Sequence, residues 1–157
     1  MKLAEKMYVI LCDDVRQEVG RKWSFIGIYA NVMIVPKLPA LFPKICLVLC
    51  FEELRKYIPD GEVKLINPGE EPVIFPLSSM PNQKLGGKAY LFVNFSPYVI
   101  KSPGEAKFEV RFGGEAKPSI VHSVKIEVAK KPEGATGEQE MGEIIPHEEQ
   151  KKPRGKK

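Results

Sequence analysis

The fold of this chain is decided in residues 12–29, which read CDDVRQEVGRKWSFIGIY and follow the apolar run MYVIL at residues 7–11. Gly20 lies in the polar middle of the stretch, between two segments rich in strand-forming residues. The pattern predicts a β-hairpin with a charged tip. Its turn is either a two-residue type II′ loop that begins at Gly20 or a three-residue loop that places Glu18 opposite Lys22, and the residues favour neither register.

The hairpin is unusual because apolar residues occupy both faces of both arms. Both alternating sets of residues 7–12 are apolar, and so are most of residues 23–29. Residues 45–51 (ICLVLCF) and 89–95 (AYLFVNF) have the same character. Strands that are apolar on both faces lie between two layers of structure. We therefore expect the hairpin to lie at the centre of the fold.

In two later segments, one side of the predicted strand faces solvent and the other faces the core. Along residues 107–112 the charged side chains are Lys107, Glu109 and Arg111, and the apolar ones between them are Phe108, Val110 and Phe112. The last predicted strand places these residues inward: Ile120, His122, Val124, Ile126 and Val128. Strict alternation of this kind is typical of a half-buried β-strand.

Prolines and glycines divide the chain into short pieces, with 14 Pro and 13 Gly spread along it. About eight predicted strands follow one another at intervals of roughly 8–15 residues, and no long helical pattern interrupts them. Residues 51–57 could instead begin one or two helical turns. Pro36, Pro39 and Pro43 predict an extended connection along an edge. The sequence therefore predicts an all-β protein, a single β-sandwich of about eight mostly antiparallel strands over residues 1–129.

The composition changes after residue 129, where Pro, Gly, Glu, Gln and Lys dominate. Residues 130–157 have few sizeable apolar side chains, so they bury too little surface to offset the entropy of ordering. We expect a disordered charged tail there. Its end carries the basic residues Lys151, Lys152, Arg154, Lys156 and Lys157. A contact with nucleic acid is expected only through these basic residues.

Length, charge and cysteine content restrict the class of protein. With 157 residues and a net charge of +4, the chain is long enough for one core and only mildly basic. Its longest apolar run, residues 45–51, is far shorter than a membrane span, and the first residues lack the apolar core of a signal peptide. Three cysteines, an odd number, indicate reduced thiols. These features predict a cytoplasmic protein that does not enter a membrane.

The acidic cluster of Asp13, Asp14 and Glu18 is the candidate binding site. Consecutive strand residues face opposite sides, so one aspartate must point toward an apolar face, where we expect it to have a cationic or backbone partner. Arg16 lies on the same face as Asp14 and is its natural ion-pair partner. The candidate binding residues of the hairpin are Asp13, Asp14, Arg16, Glu18, Lys22 and Trp23. A charged turn that fixes the hairpin register explains the same residues without a ligand.

A metal site is not expected. Calcium would need a closely spaced run of oxygen ligands, and only Asp13 and Asp14 come near one. Cys46 and Cys50 lie about 13 Å apart along one strand, too far for a disulfide or a shared zinc ion. We expect the three cysteines to be buried as small hydrophobic residues.

No string typical of a phosphate-binding loop or a nucleophile elbow occurs, so we predict no cofactor and no catalytic residue. His122 is a lone histidine on an apolar strand face, where an imidazole bonded to the backbone is the common arrangement. A hydrolase or lyase of unrecognised type would use Asp13 or Asp14 with His122. Such an enzyme requires the fold to bring these side chains into one pocket.

Written as a pattern, residues 12–29 read CDD-x-R-x-E-x(3)-K-x-S-x-IG-x-Y, and this string resembles the opening of a family of small bacterial proteins of unknown function. In that family the hairpin precedes a proline-rich link and an apolar strand, and residues 36–47 are similar to this continuation. The similarity extends over about residues 7–128, with most of its specificity in the first third. The resemblance implies a small all-β domain. Because the family has no known activity, the resemblance implies no catalytic residue.

Function has to be argued from a site, and no catalytic site is visible in the sequence. We therefore expect a non-enzymatic binding or assembly module. Its partner is expected to be a protein, held along an edge strand or by the loops at one end of the sandwich. Two alternatives stay open, the hydrolase or lyase described above and a structural component of a phage or a secretion apparatus. The oligomeric state stays open as well.

Overall fold

Eleven β-strands make up the described part of the chain, residues 2–130 of a computed structural model. They are β1 (Ala4–Glu18), β2 (Lys22–Tyr29), β3 (Val32–Val35), β4 (Ala40–Phe42), β5 (Ile45–Leu54), β6 (Gly61–Ile66), β7 (Val73–Leu77), β8 (Ala89–Phe95), β9 (Tyr98–Ile100), β10 (Gly104–Phe112) and β11 (Ile120–Val128). The predicted all-β class is confirmed. The predicted tail lies outside the described residues, apart from Lys130.

About eight strands was an undercount, because three short strands were missed. β3, β4 and β9 have four, three and three residues. Each lies next to a proline, and the prolines beside β3 and β4, which are Pro36, Pro39 and Pro43, were interpreted as part of a connection. Segments this short show too little alternation to be recognised from the sequence, and only their pairing with other strands defines them.

Two sheets pack face to face as a sandwich. One has four strands in the order β2-β1-β5-β8, the other has five in the order β3-β11-β10-β6-β7, and β4 pairs separately with β9. The strand pairs are antiparallel except β3 with β11. Across the sandwich the ring of Phe51 lies 5.8 Å from that of Phe112, and Phe95 lies 5.7 Å from Phe108. These rings join both sheets in one core.

β5 is the most completely buried strand, since residues 45–51 each expose at most 1% of their surface. It continues to Leu54, so the helical alternative at residues 51–57 does not form. β1 also lies inside its sheet, between β2 and β5. β2 is an edge strand, and its Ile28 is 59% exposed. The prediction that both hairpin arms are central is therefore wrong for the second arm. Apolar side chains on both faces of a strand show that its faces are covered, but they do not show that another strand pairs with each of its two edges.

The hairpin turn has the three-residue form, because Glu18 is the Cα partner of Lys22. Gly20 and Arg21 both have left-handed backbone angles, with φ of 82° and 61°. Glycine adopts this conformation at no steric cost, which suits it to a tight hairpin connection. The register that the sequence left open is thus set by a turn that begins after Glu18.

The outer face of the five-stranded sheet is charged, as the alternation along β10 predicts. Phe108, Val110 and Phe112 are buried. On the opposite side of β10, the Arg111 guanidinium donates to Glu62 of β6 at 3.2 Å and to Glu109 at 3.3 Å. Ion pairs between neighbouring strands let this face remain in contact with water.

β11 follows its predicted pattern only in the middle. Val124 and Ile126 are buried, whereas Ile120 and His122 are half-buried and Val128 is 42% exposed. The two ends of the strand extend past the core, so alternation in the sequence overstates how much of β11 is covered.

Candidate functional site

The hairpin folds back across the outer face of its own sheet. β1 pairs with β5 through residues 4–12 but with β2 through residues 11–18, so the outer half of the hairpin extends beyond β5. β2 and β8 are separated by two strands, about 14 Å at ordinary strand spacing. Nevertheless the ring of Trp23 on β2 lies 4.7 Å from that of Phe92 on β8. We call the segment that makes this crossing, residues 13–27, the hairpin arm.

Four half-buried rings meet where the hairpin arm reaches β8, and we call Trp23, Phe25, Tyr90 and Phe92 the aromatic group. Phe25 lies 6.4 Å from Tyr90, and Tyr90 is stacked on Phe92 at 6.4 Å with 14° between their planes. A second hydrophobic cluster, separate from the main core, lies with these rings and contains Cys12, Cys46, Val48 and Cys50. The outer face of the four-stranded sheet is therefore apolar.

The three cysteines of the outer cluster are buried free thiols, as the sequence predicts. Cys12 lies directly opposite Cys46, and its Sγ is 3.7 Å from the Cys46 carbonyl oxygen. Burial raises the pKa of all three thiols, to about 11 for Cys46 and Cys50. Because a raised pKa favours the thiol over the reactive thiolate, these cysteines are suited to pack as small hydrophobic side chains.

The hairpin arm leaves the sheet at a bend formed by Asp13 and Gly27. Gly27 has a left-handed φ of 66°, and a Cβ placed there would lie 2.6 Å from Cγ of Asp13. Only glycine leaves room for the Asp13 side chain. The Tyr29 hydroxyl donates a hydrogen bond to the Asp13 carboxylate. Burial, followed by this bond, holds the pKa of Tyr29 well above its ordinary value.

Asp14 ties the hairpin arm to the start of β5. Its carboxylate accepts hydrogen bonds from the Lys44 ammonium, from Nε of Arg16 at 3.2 Å and from the N–H of Val15 at 2.9 Å. The predicted pair with Arg16 is confirmed, whereas Lys44 was not predicted. The Lys44 bond is the main reason that the pKa of Asp14 falls to about 2. Asp13, by contrast, has a hydroxyl partner instead of the expected cation or backbone group.

The six predicted binding residues do not form one site. Asp13, Asp14 and Arg16 lie at the bend, and Glu18 and Lys22 lie opposite each other at the exposed tip. Trp23 alone joins the aromatic group. The residues that sequence reasoning missed are Phe25, Tyr90, Phe92, Tyr29, Gly27 and Lys44. Alternation along residues 89–95 carried a signal for the two rings of β8, but nothing in the sequence identified Lys44.

The two aspartates line a depression of about 480 Å³ on the surface, together with Tyr29, Phe42, Pro43 and Lys44. His122 is not among these lining residues. It lies on β11, with its ring 6.3 Å from that of Phe108, and burial lowers its pKa. The depression therefore brings the carboxylates together without the imidazole that the hydrolase or lyase alternative requires.

Within residues 2–130 no group of three or more His, Cys, Asp and Glu side chains is placed to hold a metal ion. The same part of the chain contains no helix that is long and apolar enough to cross a membrane.

The fold and the site together define a small all-β sandwich domain with a hairpin closed over one outer face. The chain belongs to a family of unknown function, DUF6941, whose model matches residues 7–128. This match confirms the resemblance to a family of unknown function. No curated protein matches the chain. The matched range begins within β1 and ends with β11, so it includes the hairpin arm and the aromatic group.

Gly27→Ala is expected to reduce the free energy of unfolding by about 2–4 kcal/mol, since left-handed alanine is strained and its Cβ collides with Asp13. Gly20→Ala is the matched control, because Gly20 is also left-handed but has no atom within 4 Å of an added Cβ. We expect it to cost only about 1–2 kcal/mol. Urea unfolding measures both values. Equal costs at the two positions would contradict the close approach of Asp13.

The lowered pKa of Asp14 makes the stability of the folded domain depend on pH. Because its folded pKa, about 2, lies below its ordinary value of 3.8, its contribution to stability is complete above about pH 5 and is lost as the pH falls through 2. The difference in Tm between the wild type and Asp14→Asn should therefore shrink over this range. In a carboxyl NMR titration Lys44→Met should raise the Asp14 pKa, and the control Lys37→Met should not. An Asp14 pKa that is the same in Lys44→Met and in the wild type would refute the pairing.

Proposed function

We propose that this domain is a non-enzymatic binding or assembly module that acts through protein–protein contacts. The observation that carries the proposal is the difference between its two outer faces. The face of the five-stranded sheet carries charged side chains on β6, β10 and β11 beside single exposed apolar residues, which are Val32, Ile34, Ile74 and Val121, whereas the face of the four-stranded sheet presents the half-buried aromatic group. In an antiparallel sandwich the outer faces are ordinarily polar. An aromatic outer face is therefore the surface most in need of an explanation.

Several charged side chains of the five-stranded sheet's outer face pair with one another. Besides the bonds of Arg111, Nζ of Lys125 lies 2.6 Å from a carboxylate oxygen of Glu127, and Nζ of Lys107 lies 3.2 Å from Glu105. Exposed pairs of this kind add little to stability, but they keep a sheet face well hydrated.

The apolar face extends beyond the aromatic group. Tyr8 lies directly opposite Cys50, and Cys50 lies opposite Tyr90, so these three side chains share one face of the sheet. Ile28 lies opposite Cys12 in the same way. Tyr8 is 42% exposed and Ile28 is 59% exposed. A contiguous apolar surface on a soluble domain marks an interaction site, and Trp and Tyr contribute most of the energy at such sites.

We further propose that the protein works in the reducing cytoplasm of a bacterium. Cys12 and Cys46 face each other on neighbouring strands and are both free thiols, which supports a reducing compartment. Protein denatured in the presence of an alkylating agent directly from the source cells should therefore show three alkylated cysteines by mass spectrometry. A disulfide between Cys12 and Cys46 in that sample would contradict this location.

The function is tested by comparing captured proteins between variants of tagged full-length chain. Wild type and Trp23→Ala are incubated with a lysate of the source organism, with Tyr57→Ala as the control for loss of an exposed aromatic ring. Tyr57 is 53% exposed and lies outside the aromatic group. We expect wild type and Tyr57→Ala to capture the same proteins in similar amounts. With Trp23→Ala the captured amount of these proteins should fall at least tenfold, because a central aromatic residue contributes about 2 kcal/mol or more to binding.

Thermal unfolding shows whether each variant remains folded at the temperature of the capture. A wild-type protein that captures nothing beyond what Trp23→Ala captures, and that sediments as a monomer, would overturn the proposed function.

A further inference from the structure

The four edges of the two sheets differ in how they are protected against pairing with another strand. β2 bends at the left-handed Gly27, β3 has only four residues, and β7 contains Pro76, which has no N–H to donate. Bends, short length and proline are the usual means by which edge strands avoid association. β8 (Ala89–Phe95) has seven residues and contains no proline, glycine or charged residue. In the described part of the chain β8 is therefore the unprotected edge.

A cleft of about 700 Å³ runs along this edge, between β8 and β7. It is lined by residues 75–80 and 90–94, and Trp23 of the aromatic group closes one side. None of these lining residues is charged, although charged residues make up 28% of the chain. A charged side chain placed in such a cleft would lose hydration without gaining an ion-pair partner. The uncharged lining therefore favours an uncharged ligand.

The strand pattern of β8 indicates how an occupant would lie. β8 pairs with β5 on one side, and among the described strands it has no partner on the side that faces the cleft. Its outward backbone groups can therefore bond an added strand. The cleft is bordered by β7, whose Phe75 ring lies 4.8 Å from that of Phe95 at the end of β8. With a volume of about 700 Å³ it suits one short extended segment and not the sheet of a second copy. Tyr90 and Phe92 on β8 would contact alternate side chains of that strand.

We propose that β8 receives an extended, uncharged segment of a partner protein, which pairs with its free edge as an additional strand and packs against Trp23 and Phe92. The proposal rests on the proposed function and names the kind of segment that its partner presents.

The test uses ten-residue peptides from a random phage-displayed library, selected on the full-length protein and measured by fluorescence polarisation. We expect the selected peptides to lack charged residues over their central positions. Asn94→Lys places a charge on an exposed residue of the cleft and should weaken binding at least tenfold. Val121→Lys adds the same charge to an exposed residue of β11, outside the cleft, and should leave affinity within twofold.

N-methylation of the peptide distinguishes strand pairing from simple hydrophobic contact. Methyl groups on alternate backbone nitrogens should abolish binding in one register and leave it unchanged in the other, because only every second N–H of an added strand faces β8. The proposal would be overturned if N-methylation weakened binding equally in both registers, or if Asn94→Lys left the peptide affinity unchanged.

Other occupants give distinct results. A dimer in sedimentation that Asn94→Lys abolishes would identify a second copy, and cleft binding by a synthetic peptide of residues 131–157 would identify the chain's own end. Either result overturns the assignment to a partner segment. If the peptides fail these tests while Trp23→Ala still loses captured proteins, the proposed function stands and the strand-pairing inference alone is refuted.

Discussion

The structure depends on the need to cover both faces of β5. Its inner face packs against the second sheet in the main core, and its outer face carries Cys46, Val48 and Cys50, which are also buried. A sandwich of two sheets supplies cover for the inner face only. The outer face is covered because the hairpin arm folds back over it and places Trp23 and Phe25 against the rings of β8. The unusual path of the hairpin thus follows from the apolar character of one strand.

That path explains why polar residues cluster where the hairpin leaves the sheet. The bend needs a residue without a Cβ, which Gly27 provides, and it brings Asp13 to the hydroxyl of Tyr29. Asp14 then binds Lys44 at the start of β5 and anchors the arm to the sheet that it crosses. The acidic pair therefore acts first on the geometry of the arm.

The two outer faces of the sandwich differ in their side-chain chemistry. The outer face of the five-stranded sheet carries ion pairs such as that of Arg111 with Glu62, whereas the outer face of the four-stranded sheet carries the aromatic group beside the free edge of β8. Both apolar features lie on the same side of the molecule, because Trp23, Tyr90 and Phe92 belong to the aromatic group and also line the cleft beside β8. A partner strand at that edge would extend the four-stranded sheet and reach the aromatic rings.

The sequence by itself determined the all-β class, the hairpin, the alternation of β10 and the pairing of Asp14 with Arg16, because these depend on residues close together in the chain. It did not predict β3, β4 and β9, the edge position of β2 or the partnership of Asp14 with Lys44. Tertiary structure alone decided these features, since each depends on which distant segments meet. A pattern of apolar residues predicts that a face is buried, and only the folded chain shows which segments cover that face.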